Sequence, residues 1–184
     1  MARPALRQPV RTRGSRPVDT RAVVIAVILL GSLGYYAYRY WTAAPLAPLS
    51  GAAVVVDGDS LEIGKTRIRL EGIDAPELEQ TCADPKGQSW PCGRSASRAV
   101  RTHLQGQNVR CEPKGLDQFK RVLAVCFLSD GSDLNAWIVR QGWALAYGYA
   151  QVYRAEQDEA QAAKRGIWAG TFTPPHEWRE QHPR

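Results

Sequence analysis

The chain has 184 residues, of which 44% are hydrophobic. This length supports one sizeable core and is too short for two ordinary domains with an appendage. The formal charge of +6 would suggest a polyanionic partner, but residues 1–45 hold seven arginines against one aspartate, and the rest of the chain has 17 basic and 17 acidic residues. Bulk charge therefore gives no indication of what the main domain binds.

The N-terminal part of the chain has the pattern of a membrane anchor. Residues 1–21 are basic and broken by proline, which predicts a disordered cytoplasmic tail. Residues 22–40 follow as a predicted transmembrane helix, whose uncharged stretch, 22–38, is at the short end of what spans a bilayer. Six arginines precede this stretch and only Arg39 follows it closely. The positive-inside rule therefore predicts a single-pass signal anchor in the cytoplasmic membrane, with the following domain periplasmic or extracellular.

Two alternatives remain open for the apolar stretch. A cleavable signal peptide is one, since Thr42-Ala43-Ala44 resembles a small-residue cleavage site, although Pro45 directly after it would be unusual. A buried core helix is the other, and it agrees poorly with an arginine-rich flank on one side and a proline-rich flank on the other.

The remaining residues are interpreted as one domain with a linker before it and a tail after it. Residues 41–50 are a short stiff linker, residues 51–170 the folded domain, and residues 171–184 a mostly extended tail packed through Trp178. Residues 52–73 alternate as strands do, and Gly64-Lys65 suits a tight hairpin turn. Two or three antiparallel strands are expected there.

Helical and strand patterns alternate through the second half of the domain. Apolar residues recur at helical spacing in 94–105, and another helix is expected near 152–165. Between these, residues 108–112 and 121–128 are typical of strands, and Asp133 can cap a helix that stops at Gly142. The expected class is α+β and mainly β: an OB-type barrel of five strands covered by three helices.

Four short segments concentrate the polar side chains that could do chemistry. They are Asp57-Gly58-Asp59, RLEGIDAPE at 69–77, DQFKR at 117–121 and AYGY at 146–149. Each alone is weak evidence, because such sequences occur in many turns. In this order, with AKRGIW at 163–168, they resemble the staphylococcal nuclease (thermonuclease) family over roughly residues 52–170.

This resemblance implies an OB-type barrel with three helices, in agreement with the strand and helix patterns. It also implies an enzyme: a calcium-dependent endonuclease that hydrolyses phosphodiester bonds in DNA and RNA with little sequence preference. The implied partners are a nucleic-acid substrate and, through the N-terminal helix, a membrane. We expect the protein to act as a monomer.

The resemblance also assigns candidate roles within the segments. Asp59 and Asp74 match the two carboxylate ligands of calcium, and the backbone carbonyl of Ala75 is implied as a third ligand. Calcium prefers such oxygen ligands and keeps room for water and a phosphate oxygen. Glu77 matches the general base, and Arg69 and Arg121 match two phosphate clamps, as planar guanidinium groups suit developing charge on phosphoryl oxygens.

Three aromatic residues are candidates for substrate binding. Tyr147 and Tyr149 fall where the family presents tyrosines to the nucleotide, and Phe119 falls at another aromatic contact position. Stacking on base faces tolerates any base, which suits a nuclease with little sequence preference. The alternative is that all three simply pack against the barrel.

The segment 117–121 departs from the family pattern. The family usually has tyrosine and then glycine before the arginine, whereas this chain has Phe119 and Lys120. If the turn requires a positive φ, Lys120 would be strained and Arg121 could be aimed differently. We therefore expect lower activity than is normal for the family.

The four cysteines follow the predicted membrane segment, in a compartment where disulfides persist. Cys82 and Cys92 flank the loop after Glu77, and we expect them to pair, which would stabilise the fold by about 2–3 kcal/mol. Cys111 and Cys126 should lie on adjacent strands, where they either form a second bond or remain buried thiols.

Two functions other than catalysis are compatible with the composition. Domains of the same family also serve as non-catalytic modules that bind nucleic acid or protein, but such modules usually lack some catalytic residues. An anchored structural protein of the cell envelope is favoured only by the neutral domain. Asp59, Arg69, Asp74, Glu77 and Arg121 are all present, which favours the enzyme.

Overall fold

The computed structural model describes residues 19–41, 46–148 and 151–183, with Arg39 described in its backbone alone. Two units are present, one containing the N-terminal helix and the other the barrel domain. The N-terminal helix, α1, runs from Thr20 to Trp41. Its segment Thr20–Tyr38 has a mean hydropathy of 1.6, is not buried, and is long and apolar enough to cross a membrane.

The domain consists of nine strands and four further α-helices within the described residues. The strands are β1 Leu49–Val55, β2 Ser60–Ile63, β3 Thr66–Leu70, β4 Ile73–Asp74, β5 Cys82–Ala83, β6 Ser89–Trp90, β7 Asn108–Leu116, β8 Val122–Leu128 and β9 Leu145–Ala146. The helices are α2 Cys92–His103, α3 Leu134–Arg140, α4 Arg154–Ala162 and α5 Pro175–Gln181, with a 3-10 turn at Gly166–Ala169.

Five of the strands close into a barrel in the order β1-β2-β3-β8-β7. Neighbouring strands are antiparallel except β3 and β8, which are parallel. Strand β1 serves two neighbours, since its first half pairs with β7 and its second half with β2. The β2–β3 hairpin turns at Gly64, whose φ of +63° is disfavoured for a residue with a side chain. The predicted five-stranded OB-type barrel is confirmed.

A buried asparagine on α3 completes the parallel seam of the barrel. Asn135 is fully buried; its Nδ2 donates to the carbonyls of Glu71 at 2.9 Å and Ala124 at 3.3 Å, and its Oδ1 accepts from the Cys126 amide at 3.2 Å. Buried backbone groups that miss a ladder partner need such substitutes. The amide therefore ties the end of β3 to β8.

The predicted helices α2, α3 and α4 are all present. Asp133 caps α3 as expected, since its Oδ1 accepts from the Ala136 amide at 3.0 Å. The expectation of a mostly extended C-terminal tail is wrong, because α5 is a fourth helix of the domain. Proline at its first turn and Glu177 beside its N-terminus both favour a helix start.

Both disulfides are present in the structure. Cys82–Cys92 joins the loop after Glu77 to the start of α2 and lies in a small apolar cluster with Ile167. Cys111 and Cys126 lie directly opposite each other on β7 and β8, and their bond belongs to the main core. The alternative of two buried thiols at that position is therefore not what the structure shows.

Candidate active site

The first part of the site is the turn between β1 and β2. Asp57 Oδ1 accepts from the Asp59 amide at 3.0 Å, which sets the local turn. A Cβ atom at Gly58 would lie 2.6 Å from the Ala75 Cβ, so a glycine is needed for the turn to approach the segment after β4 this closely. The turn consequently delivers Asp59 to the side of Asp74.

The two aspartates are almost completely buried, at 4% exposure for Asp59 and 1% for Asp74. Asp59 Oδ2 accepts from the Ala75 amide at 2.7 Å, and its Oδ1 accepts from Ser60 Oγ at 3.2 Å. Buried carboxylates are strongly disfavoured unless hydrogen bonds and positive charge compensate them. These hydrogen bonds compensate only part of the charge, so the pair requires a cation.

Arg69, on β3, supplies one positive charge. Its guanidinium forms ion pairs with Asp59 and with Asp74, the latter at 2.9 Å from Nη2 to Oδ1. Burial lowers the pKa of Arg69, an effect that the nearby charges of Asp74 and Asp57 oppose. Arg69 therefore holds the two carboxylates side by side from the wall of the barrel.

Glu77 lies on the loop that follows β4, and that loop is held tightly. The Glu77 amide donates to Oε1 of the buried Gln80 at 3.2 Å. A Cβ atom at Gly93 would lie 1.7 Å from the Glu77 carbonyl oxygen, so only glycine allows the start of α2 to approach this loop so closely. The position of Glu77 thus depends on packing against α2.

The segment 117–121 forms a compact turn around one carboxylate. Asp117 Oδ1 accepts from the amides of Phe119 at 2.9 Å and Arg121 at 2.8 Å, while its Oδ2 accepts from Arg121 Nε at 2.7 Å. Partial desolvation raises the pKa of Asp117, but these hydrogen bonds together bring it below its ordinary value. Lys120 has a φ of +62°, so the turn does require the left-handed conformation that glycine favours. Asp117 nevertheless orients Arg121.

One open cleft of about 1230 Å³ brings these parts together. It is lined by Asp59, Arg69, Glu77, Phe119, Arg121 and Tyr147, among other residues. Phe119 is 69% exposed and Tyr147 is half exposed, so neither ring is buried in the core. Asp74 reaches the cleft through its contacts with arginine side chains and lines an adjoining hollow beside Tyr147. Tyr149 lies outside the described residues.

Sequence reasoning missed Arg179. This residue lies on α5, and its Nη1 donates to Asp74 Oδ1 at 3.0 Å and to Glu77 Oε1 at 3.1 Å, while its Nη2 donates to Asp74 Oδ2 at 3.2 Å. Desolvation lowers the pKa of Arg179, but the hydrogen bonds and charges of Asp74 and Glu77 outweigh it and raise the pKa. The Pro-Pro start of α5 was the available signal for a helix, but no local pattern pairs Arg179 with residues more than 100 positions away.

The donor set at the base of the cleft fits a hard divalent cation. Among the described residues, no group of three or more His, Cys, Asp and Glu side chains has an arrangement that could hold a metal ion. Calcium does not require three side chains, because it accepts backbone carbonyls and water alongside carboxylates. Two buried carboxylates that share a guanidinium meet that simpler requirement. The arginines around them suit an anionic substrate.

Comparison with known proteins gives the same grouping. The family model described as Staphylococcal nuclease homologue matches residues 67–170. An "Uncharacterized endonuclease" of Escherichia coli is 31% identical over 144 residues, covering 73% of this chain and 88% of that protein. The "Succinoglycan biosynthesis protein ExoI" of Rhizobium meliloti (strain 1021) is 32% identical over 158 residues, covering 84% of this chain and 78% of that protein.

A plant relative carries the family name itself. The "Probable staphylococcal-like nuclease CAN3" of Oryza sativa subsp. japonica is 30% identical over 125 residues, covering 66% of this chain and 30% of that protein. These similarities support a hydrolase of the nuclease type. With its closed barrel and its match over more than half of its length, the chain belongs to the staphylococcal nuclease family.

Proposed function

We propose that this protein is a calcium-dependent endonuclease that hydrolyses phosphodiester bonds in DNA or RNA with little sequence preference. The observation that carries the proposal is the meeting of Asp59 and Glu77 with Arg69 and Arg121 around one cleft, with Asp74 held beside it by its ion pair with Arg69. Carboxylates at the base and guanidinium groups beside them combine a site for a hard cation with a site for an anion. The names of two relatives as endonuclease or nuclease support the same reaction.

Asp59 and Asp74, with the carbonyl of Ala75, are the proposed calcium ligands. When bound, calcium supplies positive charge that neutralises and orients the scissile phosphate. The hydrogen bonds from Ala75 and Ser60 to Asp59 keep that carboxylate in one orientation. The protein thereby fixes the ligands before the substrate arrives.

Glu77 is the proposed general base that takes a proton from the attacking water. Its carboxylate lines the cleft, and its backbone is fixed by Gln80 and by the close approach of Gly93. Arg69 and Arg121 are the proposed clamps on the phosphoryl oxygens, whose negative charge grows as water attacks. Asp117 orients Arg121 through the hydrogen bond from Arg121 Nε.

Phe119 and Tyr147 are the proposed contacts to the bases of the substrate. Both rings line the cleft and are at least half exposed, and stacking contributes about 1–3 kcal/mol per base without selecting among bases. The guanidinium of Arg121 lies 5.6 Å from the centre of the Phe119 ring, within the range of a cation–π contact. Tyr149 is proposed as a further contact from the resemblance alone.

The decisive experiment is cleavage of denatured DNA by the full chain in mild detergent, first with calcium and then with excess chelator. Glu77→Ala should lower the rate by about 100- to 10,000-fold, the usual contribution of a general base. The matched control is Glu79→Ala, which removes an exposed carboxylate two positions away that pairs with Arg94. Both variants should keep the thermal melting profile of the parent.

Three results would count against the proposal. Ordinary cleavage by Glu77→Ala would show that Glu77 is not the general base. Cleavage that persists in chelator would show that the reaction does not require calcium. A folded parent protein that binds DNA without cutting it would favour the non-catalytic binding module instead.

We also propose that α1 is a signal anchor that holds the domain outside the cytoplasm. The helix has suitable length and hydropathy, and two disulfides in the domain agree with an oxidising compartment. A reporter enzyme that is active only outside the cytoplasm, fused after Arg184, should be active and should sediment with membranes. A soluble active fusion would indicate a cleaved signal peptide, and an inactive fusion would overturn the orientation.

A further inference from the structure

We propose that Arg179 is an internal counter-ion that competes with the divalent cation for Asp74, so that α5 weakens calcium binding by the rest of the site. This inference rests on the proposed function of the same carboxylates. Its starting point is the three hydrogen bonds that the Arg179 guanidinium donates to Asp74 and Glu77.

Guanidinium groups occupy three of the about four lone-pair positions of the Asp74 carboxylate. Oδ1 accepts from both Arg69 and Arg179, and Oδ2 accepts from Arg179. A carboxylate oxygen offers about two lone pairs, so Oδ1 is saturated. A cation that binds Oδ1 must replace one of the two guanidinium groups. A cation bound to the same carboxylate as a guanidinium is also repelled by the positive charge of that group.

Of the two arginines, Arg179 is the one placed to leave. The Arg69 side chain is 15% exposed on barrel strand β3 and also pairs with Asp59. The Arg179 side chain is 39% exposed on a seven-residue helix near the C-terminus. A long, partly solvated side chain loses less when it moves into water. Arg69 is therefore expected to stay and Arg179 to be displaced.

The placement of Arg179 follows from the way the C-terminal segment is attached. Thr171 pairs with Ala83 through two backbone hydrogen bonds of 2.8 and 3.0 Å, and Gln80 Nε2 donates to the Thr173 carbonyl at 2.6 Å. The same Gln80 side chain accepts from the Glu77 amide. The start of α5 is thus fixed to the loop that carries Glu77, and this attachment holds Arg179 close to that loop.

The consequence is an equilibrium between an arginine-bound and a cation-bound carboxylate. The apparent dissociation constant for calcium equals the intrinsic constant divided by the fraction of molecules in which Arg179 has left. Removing the guanidinium removes that penalty. Calcium should then bind more tightly, with the same ligands.

The test is isothermal titration of calcium chloride into the full chain in detergent, with no nucleic acid present. Arg179→Gln should bind calcium about tenfold more tightly than the parent, which corresponds to about 1.4 kcal/mol. Arg179→Lys keeps the charge but loses the two-pronged contact, and it should bind about threefold more tightly. The control Arg154→Gln removes an arginine whose ion pair with Asp158 is exposed, and it should stay within about twofold.

The outcomes separate this inference from the proposed function. Equal calcium affinity in the parent and Arg179→Gln would overturn the role of Arg179 and leave the nuclease assignment intact. Tighter binding by Arg179→Gln with no change in Arg179→Lys would show a long-range charge effect and would also overturn displacement. Absence of calcium binding in every folded variant would overturn the proposed cation site itself.

Discussion

Lys120 offers a direct test of whether the departure from the family pattern costs stability. Its φ of +62° lies in the left-handed region, and its amide donates to the Asp117 carbonyl at 3.0 Å within the turn. That conformation costs a residue with a side chain about 1–2 kcal/mol. Glycine avoids this cost but loses about 0.5–1 kcal/mol more conformational entropy on folding. Lys120→Gly should therefore stabilise the folded domain by about 0.5–1 kcal/mol.

The measurement is urea unfolding of the full chain in detergent, followed by tryptophan fluorescence, together with a thermal melt. The melting temperature should rise by about 1–4 °C. Lys164→Gly is a second test of the same reasoning, since Lys164 has a φ of +52° after α4. Lys86 has a negative φ and provides the matched control. Lys86→Gly should destabilise by about 0.5–1 kcal/mol.

The reasoning would be refuted if Lys120→Gly destabilised the protein as Lys86→Gly is expected to do. Activity gives an independent check. Arg121 receives its orientation from Asp117 through its amide and its Nε, and neither contact involves the Lys120 side chain. Cleavage by Lys120→Gly should therefore be at least as fast as cleavage by the parent.

Two further predictions concern the parts of the fold that position the site. Gly93→Ala places a methyl group against the Glu77 carbonyl and should shift the base, which lowers the cleavage rate by about 100-fold or more. Gly87→Ala is the control, because an added Cβ there would meet nothing within 4 Å. Since that residue must adopt a φ of +78°, the control should lose stability without the loss of cleavage. Asn135→Leu removes the side-chain partner of the Cys126 amide and the Glu71 carbonyl, while the Ala124 carbonyl keeps its bond from the Glu71 amide. This variant should lower the free energy of unfolding in urea by about 2 kcal/mol or more, whereas the surface change Asn108→Leu should stay within about 0.5 kcal/mol. An unaffected Gly93→Ala enzyme, or an Asn135→Leu protein as stable as the parent, would contradict these two arguments.

The local sequence was sufficient for much of the barrel. Strand alternation, the glycine at the β2–β3 turn and the Asp133 cap are encoded by residues within a few positions of one another. The grouping of Asp59, Arg69 and Glu77 was also accessible, because the family resemblance assigns all three to one site. Such local preferences agree with the final fold, so they can be recognised from the sequence without the tertiary structure.

The parallel seam and the exact packing behind Glu77 were decided by tertiary structure. Strands β3 and β8 are separated by more than 50 residues, and the end of their seam is tied by Asn135, whose amide gives no sequence signal of its burial. Gly93 likewise resembles an ordinary helix-start glycine until its approach to the Glu77 carbonyl is known. Such contacts depend on how whole elements pack, and no local pattern specifies them.

The sequence by itself determined the fold class from its strand and helix patterns, and its motifs carried the resemblance that implied the family and the set of candidate acidic and basic residues. Only the tertiary structure placed α5 over the site. Arg179 is 102 residues from Glu77, and its position follows from hydrogen bonds of Gln80 and Thr171 that bring the C-terminus back to the barrel. A local charge pattern cannot reveal a pair of residues that far apart in the chain. The folded chain brings the Arg179 guanidinium within 3.0 Å of the buried Asp74 carboxylate, where the two form a charge-assisted hydrogen bond.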